Sequence, residues 1–167
     1  MEEAAVIDFC VTMKNLGITI WVDGGWGVDA LIGRQTRVHN DLDITIQKKD
    51  LGVFQEEMKA RNYEETNLNI ARPHNFVLTD PHNRLIDVHV IELNEQGDGI
   101  YGPIENGELY PVASLTGQGT IGGITVSCVS PEYVLKFHSG YSLKEKDYHD
   151  VWAICRKFNL KIPDEYV

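Results

Sequence analysis

The chain has 167 residues, of which 43% are hydrophobic and 24% charged, with a formal net charge of −10 and a pI near 4.9. That is the size and balance of one soluble globular domain, or one domain with a helical appendage. The acidity argues against a general nucleic-acid binder, which needs a basic face, and permits a cationic small-molecule substrate drawn to an acidic cleft. Keeping the protein soluble is the commoner reason for such a charge. The three cysteines, Cys10, Cys128 and Cys155, are odd in number and widely spaced, with no CxxC. We read them as reduced core residues of a cytoplasmic protein, not as zinc ligands or a disulfide framework. No apolar run approaches the roughly 18 residues of a membrane span, and no basic-then-apolar leader is present, so neither a span nor a signal peptide is expected.

In chain order, Val6, Phe9, Cys10, Met13 and Leu16 form a helical stripe over residues 3–16. Ile18 to Val22 is a short β-branched run bounded by glycine, hence a buried strand. Gly24-Gly25 turns the chain, and Trp26 to Ile32 makes about two helical turns ending at Gly33. After a polar loop, Asp41 to Gln47 alternates, with Leu42, Ile44 and Ile46 on one face and Asp41, Asp43 and Thr45 on the other. Asp50 suits the N-cap of a helix over 51–61. Tyr63 to Leu68, His74 to Leu78 and Leu85 to Leu93 read as strands. Residues 94–123, rich in Gly, Asn and Gln, read as an extended loop with short strands, including a hairpin around Gly122-Gly123. Ser130-Pro131 opens a helix to about His138. Ser142 and Glu145 read as a capping box for a last helix, whose buried stripe is Tyr148, Val151, Trp152, Cys155 and Phe158. The class is α+β (mixed α/β), with a small mixed β-sheet flanked by helices. Residues 1–128 are the core, and residues 129–167 are a C-terminal helical segment packed on it.

The chemistry gathers on three stretches. Asp41 and Asp43 leave the same strand face about 6.5–7 Å apart at Cα. Alone, such a pair is more often a solvated face, but oxygen ligands of this kind suit Mg²⁺. Asp87 heads an otherwise apolar strand, and if that strand neighbours the first it completes a three-carboxylate site, as a ligand or as a proton acceptor. Gly24-Gly25, between a strand and a helix, is more often only a turn, but can bring backbone N–H groups to an anion. Arg37 on the following loop is a phosphate-clamp candidate, and Arg34 reads as solvated. Lys146 sits in the first turn of the last helix, where a cation opposes the helix dipole, which admits a phosphate role. His39 and His89 each stand two residues from an acid and can orient a carboxylate or contact substrate. His138 and Tyr141 can line a pocket. Glu92 is a second candidate base beside Asp87. His149-Asp150 is similar to the pair of an HD phosphohydrolase, but it lacks flanking metal histidines and reads as helix surface. Trp21 and Trp26 read as core and pocket wall.

Trp21-Val22-Asp23-Gly24-Gly25-Trp26-Gly27-Val28-Asp29, then Arg37-Val38-His39-Asn40-Asp41-Leu42-Asp43, then Asp87-Val88-His89, resemble the antibiotic nucleotidyltransferases of the DNA polymerase β-like superfamily. Phe137 to Tyr141 and Glu145-Lys146-Asp147 look like the small lincosamide nucleotidyltransferases in particular. The resemblance implies a polymerase β-like nucleotidyltransferase fold and an enzyme that uses Mg²⁺ and ATP. Its reaction would transfer AMP to a hydroxyl of a lincosamide antibiotic, inactivating it. On the matching positions, Asp41, Asp43 and Asp87 would be the metal-binding and catalytic acids. Gly24, Gly25, Arg37 and Lys146 would hold the triphosphate, and Glu92, His89 and Tyr141 would lie toward the acceptor. An aminoglycoside acceptor is the alternative within the class. Outside it stands a minimal nucleotidyltransferase that modifies a protein partner, as in a toxin–antitoxin pair. The expected partners are the nucleotide, the antibiotic and a second copy of the chain in a homodimer, with no nucleic acid and no membrane.

Overall fold

The computed structural model describes residues 1–66 and 73–167. The chain runs α1 (Glu3–Asn15), β1 (Ile20–Asp23), α2 (Gly24–Ile32), β2 (Asp41–Gln47), α3 (Leu51–Ala60), β3 (Glu64–Glu65) and β4 (Asn75–Thr79). It continues through β5 (Leu85–Leu93), β6 (Gly99–Tyr101), β7 (Glu108–Tyr110), β8 (Gly117–Ile121), β9 (Ile124–Cys128), α4 (Pro131–Phe137) and α5 (Glu145–Phe158). The fold is mixed α+β, as the element pattern implies. Its sheet is larger than expected, with nine strands in the order β3-β4-β5-β2-β1-β9-β8, and β6–β7 attached as an arm to β5. The extra size comes from residues 94–128, where the expected hairpin is extended to β8–β9 and a further pair, β6–β7, joins β5. The β2–β5 and β1–β9 pairs are parallel and the others antiparallel. Among the described residues no helix is long and apolar enough to cross a membrane.

The alternation in β1, β2 and β5 divides the sheet into two faces. Ile20, Val22, Leu42, Ile44, Ile46, Ile86, Val88 and Val90 point to one side and form the main core with α1, α2 and α3. Phe9 of α1 meets Phe54 of α3 edge to face at 6.4 Å. Val134 of α4 and Ile154 of α5 belong to the same cluster. On the other face Trp21, Ile91 and Tyr110 pack together, and the Trp21 indole donates to the Leu115 carbonyl at 2.7 Å. That contact fastens the chain after β7 over the sheet.

Several local expectations change in the structure. Gly24 and Gly25 form the first turn of α2 instead of a separate turn, and Asp23 caps it by accepting from the Gly24 N–H at 2.8 Å. The Asp50 side chain makes no capping bond and pairs with Lys49 at 2.9 Å. The strand expected over 63–68 is limited to Glu64–Glu65, and Asn67 and Leu68 lie outside the described residues. The hairpin at Gly122-Gly123 forms as expected, with both glycines at positive φ. The last helix starts later, at Glu145, and Asp147 reaches back to the Lys144 N–H at 2.7 Å. Its buried face is Asp147, Asp150, Val151, Ile154 and Cys155, while Tyr148, Trp152 and Phe158 are partly exposed. Polar contacts made by the two aspartates set that face, which an apolar stripe alone does not predict.

The backbone of α2 rests directly on β8: a side chain at Gly119 would overlap the Ala30 carbonyl and the Leu31 nitrogen. We expect Gly119→Val to lower the melting temperature by roughly 5 °C or more, from a typical overpacking penalty of about 1–3 kcal/mol. Because α2 carries Gly24, activity should fall with it. Thermal unfolding and turnover of the variant check both.

Candidate active site

The face opposite the core carries the acids. Asp23 of β1 stands in register with Asp43 of β2, and Asp43 with Asp87 of β5. Side chains in register leave the same face, so three carboxylates lie side by side across strands spaced about 4.8 Å apart. Asp41 is on the same face of β2, two residues nearer the start of the strand. One ligand atom each from Asp43, Asp87 and His89 lies within 4.8 Å of the others.

This crowding is visible in the proton affinity of Asp43. Burial, then the carboxylates of Asp41, Asp23 and Asp87, push its pKa up to about 7, with His89 acting in the opposite direction. Burial by itself lowers the His89 pKa, but the hydrogen bond and charge of Asp87, with Asp23 and Asp43, outweigh it and raise it. Oxygen donors that repel one another at neutral pH are relieved by a hard divalent cation, so the residues present fit Mg²⁺. Asp87 is oriented by Asn75, whose Nδ2 donates to Asp87 Oδ1 at 2.8 Å, and His89 Nε2 lies 3.6 Å from the same oxygen. The His89 ring stacks on Tyr101 at 5.5 Å.

Above the acids lies a cleft of about 520 Å³. Its first edge is the start of α2. At Gly24, with φ +55°, any side chain would run into Asp43 Oδ2, and at Gly25 it would meet His39 Nδ1 and Arg37 Nη2. The glycines are therefore required for the helix N-terminus to approach the acids. The loop after α2 is fixed by buried Asp29. Its carboxylate accepts from the Thr36 N–H at 3.0 Å and the Thr36 hydroxyl at 2.5 Å, and pairs with His39. Arg37 forks onto Asp150 of α5, with Nε donating to Oδ1 at 2.9 Å and Nη2 to Oδ2 at 2.5 Å. The opposite edge is aromatic: Tyr101 and Tyr110 from the β6–β7 arm, with Tyr110 against Phe137 of α4 at 4.9 Å. Lys136, Tyr141 and Lys146 line the rest.

Comparison with known proteins agrees with this geometry. The model of the aminoglycoside-2''-adenylyltransferase family matches residues 5–154. The chain belongs to this family. A lincosamide resistance protein of Staphylococcus haemolyticus is 30% identical over 141 residues, covering 83% of this chain and 84% of that one. The crystal structure of the lincosamide antibiotic adenylyltransferase LnuA, lincomycin-bound, superposes with a TM-score of 0.81 at 27% identity, covering 92% and 96% of the two chains. The aminoglycoside enzyme ANT(2'')-Ia, in complex with adenylyl-2''-tobramycin, shares the fold with a TM-score of 0.74 at 19% identity, covering 93% and 88%. The protein is a nucleotidyltransferase of this adenylyltransferase family.

Asp41, Asp43, Gly24, Gly25, Arg37, Lys146, His89 and Tyr141 all line the one cleft, and Asp87 shares the acid row at its floor. Glu92 does not join them. It follows Asp87 by an odd number of residues, so it leaves the other face of β5, where it pairs with Lys48 at 2.9 Å. It is thereby removed as a candidate base. His149 and Asp150 also part company: His149 bonds the Thr36 hydroxyl at 3.0 Å, whereas Asp150 is buried and holds Arg37 instead of lying on the helix surface. Three members were not singled out from the sequence. Asp23 ends β1 immediately before the glycines, Asn75 is on β4, and Asp29 is inside α2. An Asp just before Gly-Gly was a readable signal for the first. No local pattern marks the other two, because their partners come from other elements.

The acid row generates a pH prediction. A carboxyl whose folded pKa lies above its unfolded value stabilises the fold below the unfolded pKa, and that contribution is lost as pH rises. For Asp43 the loss runs from about pH 4 to about pH 7. We expect Asp43→Asn to raise the melting temperature of the metal-free protein by roughly 3–6 °C at pH 8, to change it little at pH 4, and to abolish the extra stabilisation that Mg²⁺ gives the wild type. Thermal scans across pH, with and without Mg²⁺, measure this.

Proposed function

We propose that the protein transfers AMP from ATP to a hydroxyl of a lincosamide antibiotic and so inactivates it. The observation that carries the reading is the registered row Asp23, Asp43 and Asp87 beneath a glycine-opened helix N-terminus. The choice of acceptor is supported by the likeness to the lincosamide resistance protein and to LnuA across most of the chain. Mg²⁺ would be held by Asp41, Asp43 and Asp87, and when bound would supply charge neutralisation at the phosphate oxygens.

The chain's own groups do the rest. The first turn of α2 offers backbone N–H groups and the positive end of the helix to the triphosphate. Lys146 adds positive charge on that side, while Arg37, whose Nε–Nη2 edge is taken up by Asp150, holds the loop at the cleft and has only its Nη1 side left to turn to a phosphate. Asp87, fixed by Asn75, takes the proton of the acceptor hydroxyl. The hydroxyl oxygen forms a bond to the α-phosphorus as the bond to pyrophosphate breaks, in line. The aromatic edge of Tyr101, Tyr110 and Phe137 gives the acceptor an apolar wall and keeps water from competing. All three cysteines are free and buried, which supports a cytoplasmic setting. Tyr148 and Trp152, one turn apart on α5, are exposed by 40% and 47% and support a homodimer.

Incubation with Mg²⁺, each of the four nucleoside triphosphates and panels of lincosamides and aminoglycosides, read by mass spectrometry, tests the reading. We expect a mass increase of one AMP on a lincosamide. An adduct only on aminoglycosides, or label only on a protein, overturns it. Asn75→Ala should lower kcat by about 10- to 100-fold with little change in the KM for ATP, since it removes only the group that orients Asp87. Sedimentation at micromolar concentration should give a dimer.

A further inference from the structure

The charges lining the cleft come from different elements. The cations Arg37, Lys136 and Lys146 come from the loop after α2, from α4 and from α5. The β6–β7 arm contributes Tyr101, Glu108, Leu109 and Tyr110, so Glu108 is the one charged residue it brings to the lining. Glu108 stands in register with Tyr101 across the arm, and their side chains therefore share a face. Tyr101 in turn stacks on His89, beside Asp87. Glu108 thus lies beside the ring that stacks on His89, on the side of the acid row that the reading above gives to the acceptor.

Three other carboxylates of the lining are engaged. Asp150 holds Arg37, Asp147 accepts from the Lys144 N–H, and Asp23 accepts from the Gly24 N–H. Asp41 and Asp43 make no side-chain hydrogen bond or ion pair with another described residue, and on the reading above they would hold the Mg²⁺. Glu108 is exposed and makes no ion pair or side-chain hydrogen bond with another described residue. A single unengaged carboxylate at the acceptor end matches an acceptor with one ammonium group better than a polyamine, whose further charges would find no partner there.

We propose that Glu108 is a specificity-determining residue, pairing with the ammonium group of a monoamine acceptor whose ring system lies against Tyr101. This rests on the acceptor reading given above. Covering the cleft with nucleotide and drug desolvates the pair and strengthens it beyond a surface ion pair.

The test compares wild type, Glu108→Gln and Glu108→Lys on lincomycin, on a neutral lactam analogue of lincomycin and on tobramycin. For lincomycin we expect Glu108→Gln to raise KM about fivefold and Glu108→Lys more than tenfold, with kcat within twofold and the KM for ATP unchanged. For the lactam analogue the wild type and Glu108→Gln should have the same KM. Wild type should use lincomycin in preference to tobramycin. An unchanged KM for lincomycin in Glu108→Gln, or an equal rise for the lactam, overturns the role of Glu108 while leaving the acceptor reading intact. A wild type that modifies neither drug overturns the acceptor reading and this role with it.

Discussion

Mutual repulsion among carboxylates is the constraint from which the rest of the site follows. Asp23, Asp43 and Asp87 are placed on neighbouring strands with only His89 beside them to offset their charge among the described residues, and burial with that crowding pushes the Asp43 pKa up to about 7. A fold has no use for such an arrangement on its own account, since like charges across a ladder destabilise it. Binding of a divalent cation and a triphosphate, as proposed, would make the arrangement favourable, so that the site is in that sense prepared at some expense to the empty protein.

The surroundings of the row serve that preparation. One face of β1, β2 and β5 is apolar, and its burial against α1, α2 and α3 holds the strands in register. That register sets the spacing of the acids on the opposite face, so core packing and site geometry are two sides of the same three strands. The tight approach of α2 is equally constrained. Gly24 lets its first turn sit on Asp43, Gly25 leaves room for His39 and Arg37, and Gly119 lets the helix body rest on β8. Asp29 and Asp150 then anchor the loop between α2 and β2, one from inside α2 and one from α5.

The arm formed by β6 and β7 gives the cleft its second character. It carries aromatic rings and one carboxylate where the helices carry cations. On the proposed reading, the N-terminus of α2 with Lys146 serves the triphosphate, and the arm with Phe137 of α4 serves the acceptor.

Much of this was legible in the sequence. The strand bounds of β2 and β5 were legible to the residue, whereas Asp41, Asp43 and Asp87 with Gly24-Gly25 became a candidate site only when taken together and through the family resemblance, since the acid pair or the glycines alone read more often as a solvated face or a turn. The pairing of β2 with β5 was only a condition, and the tertiary structure supplied it. Tertiary structure alone also decided that Glu92 leaves the wrong face, that Asp150 is a buried partner of Arg37, and that Asn75 steadies Asp87. In the last two the residues in contact are 113 and 12 positions apart, and no local pattern encodes such a contact. The sequence by itself determined which chemical groups the chain possesses and which strand face each one leaves. Only the folded sheet decided which of those faces meet, because register between strands is set by packing across the whole core.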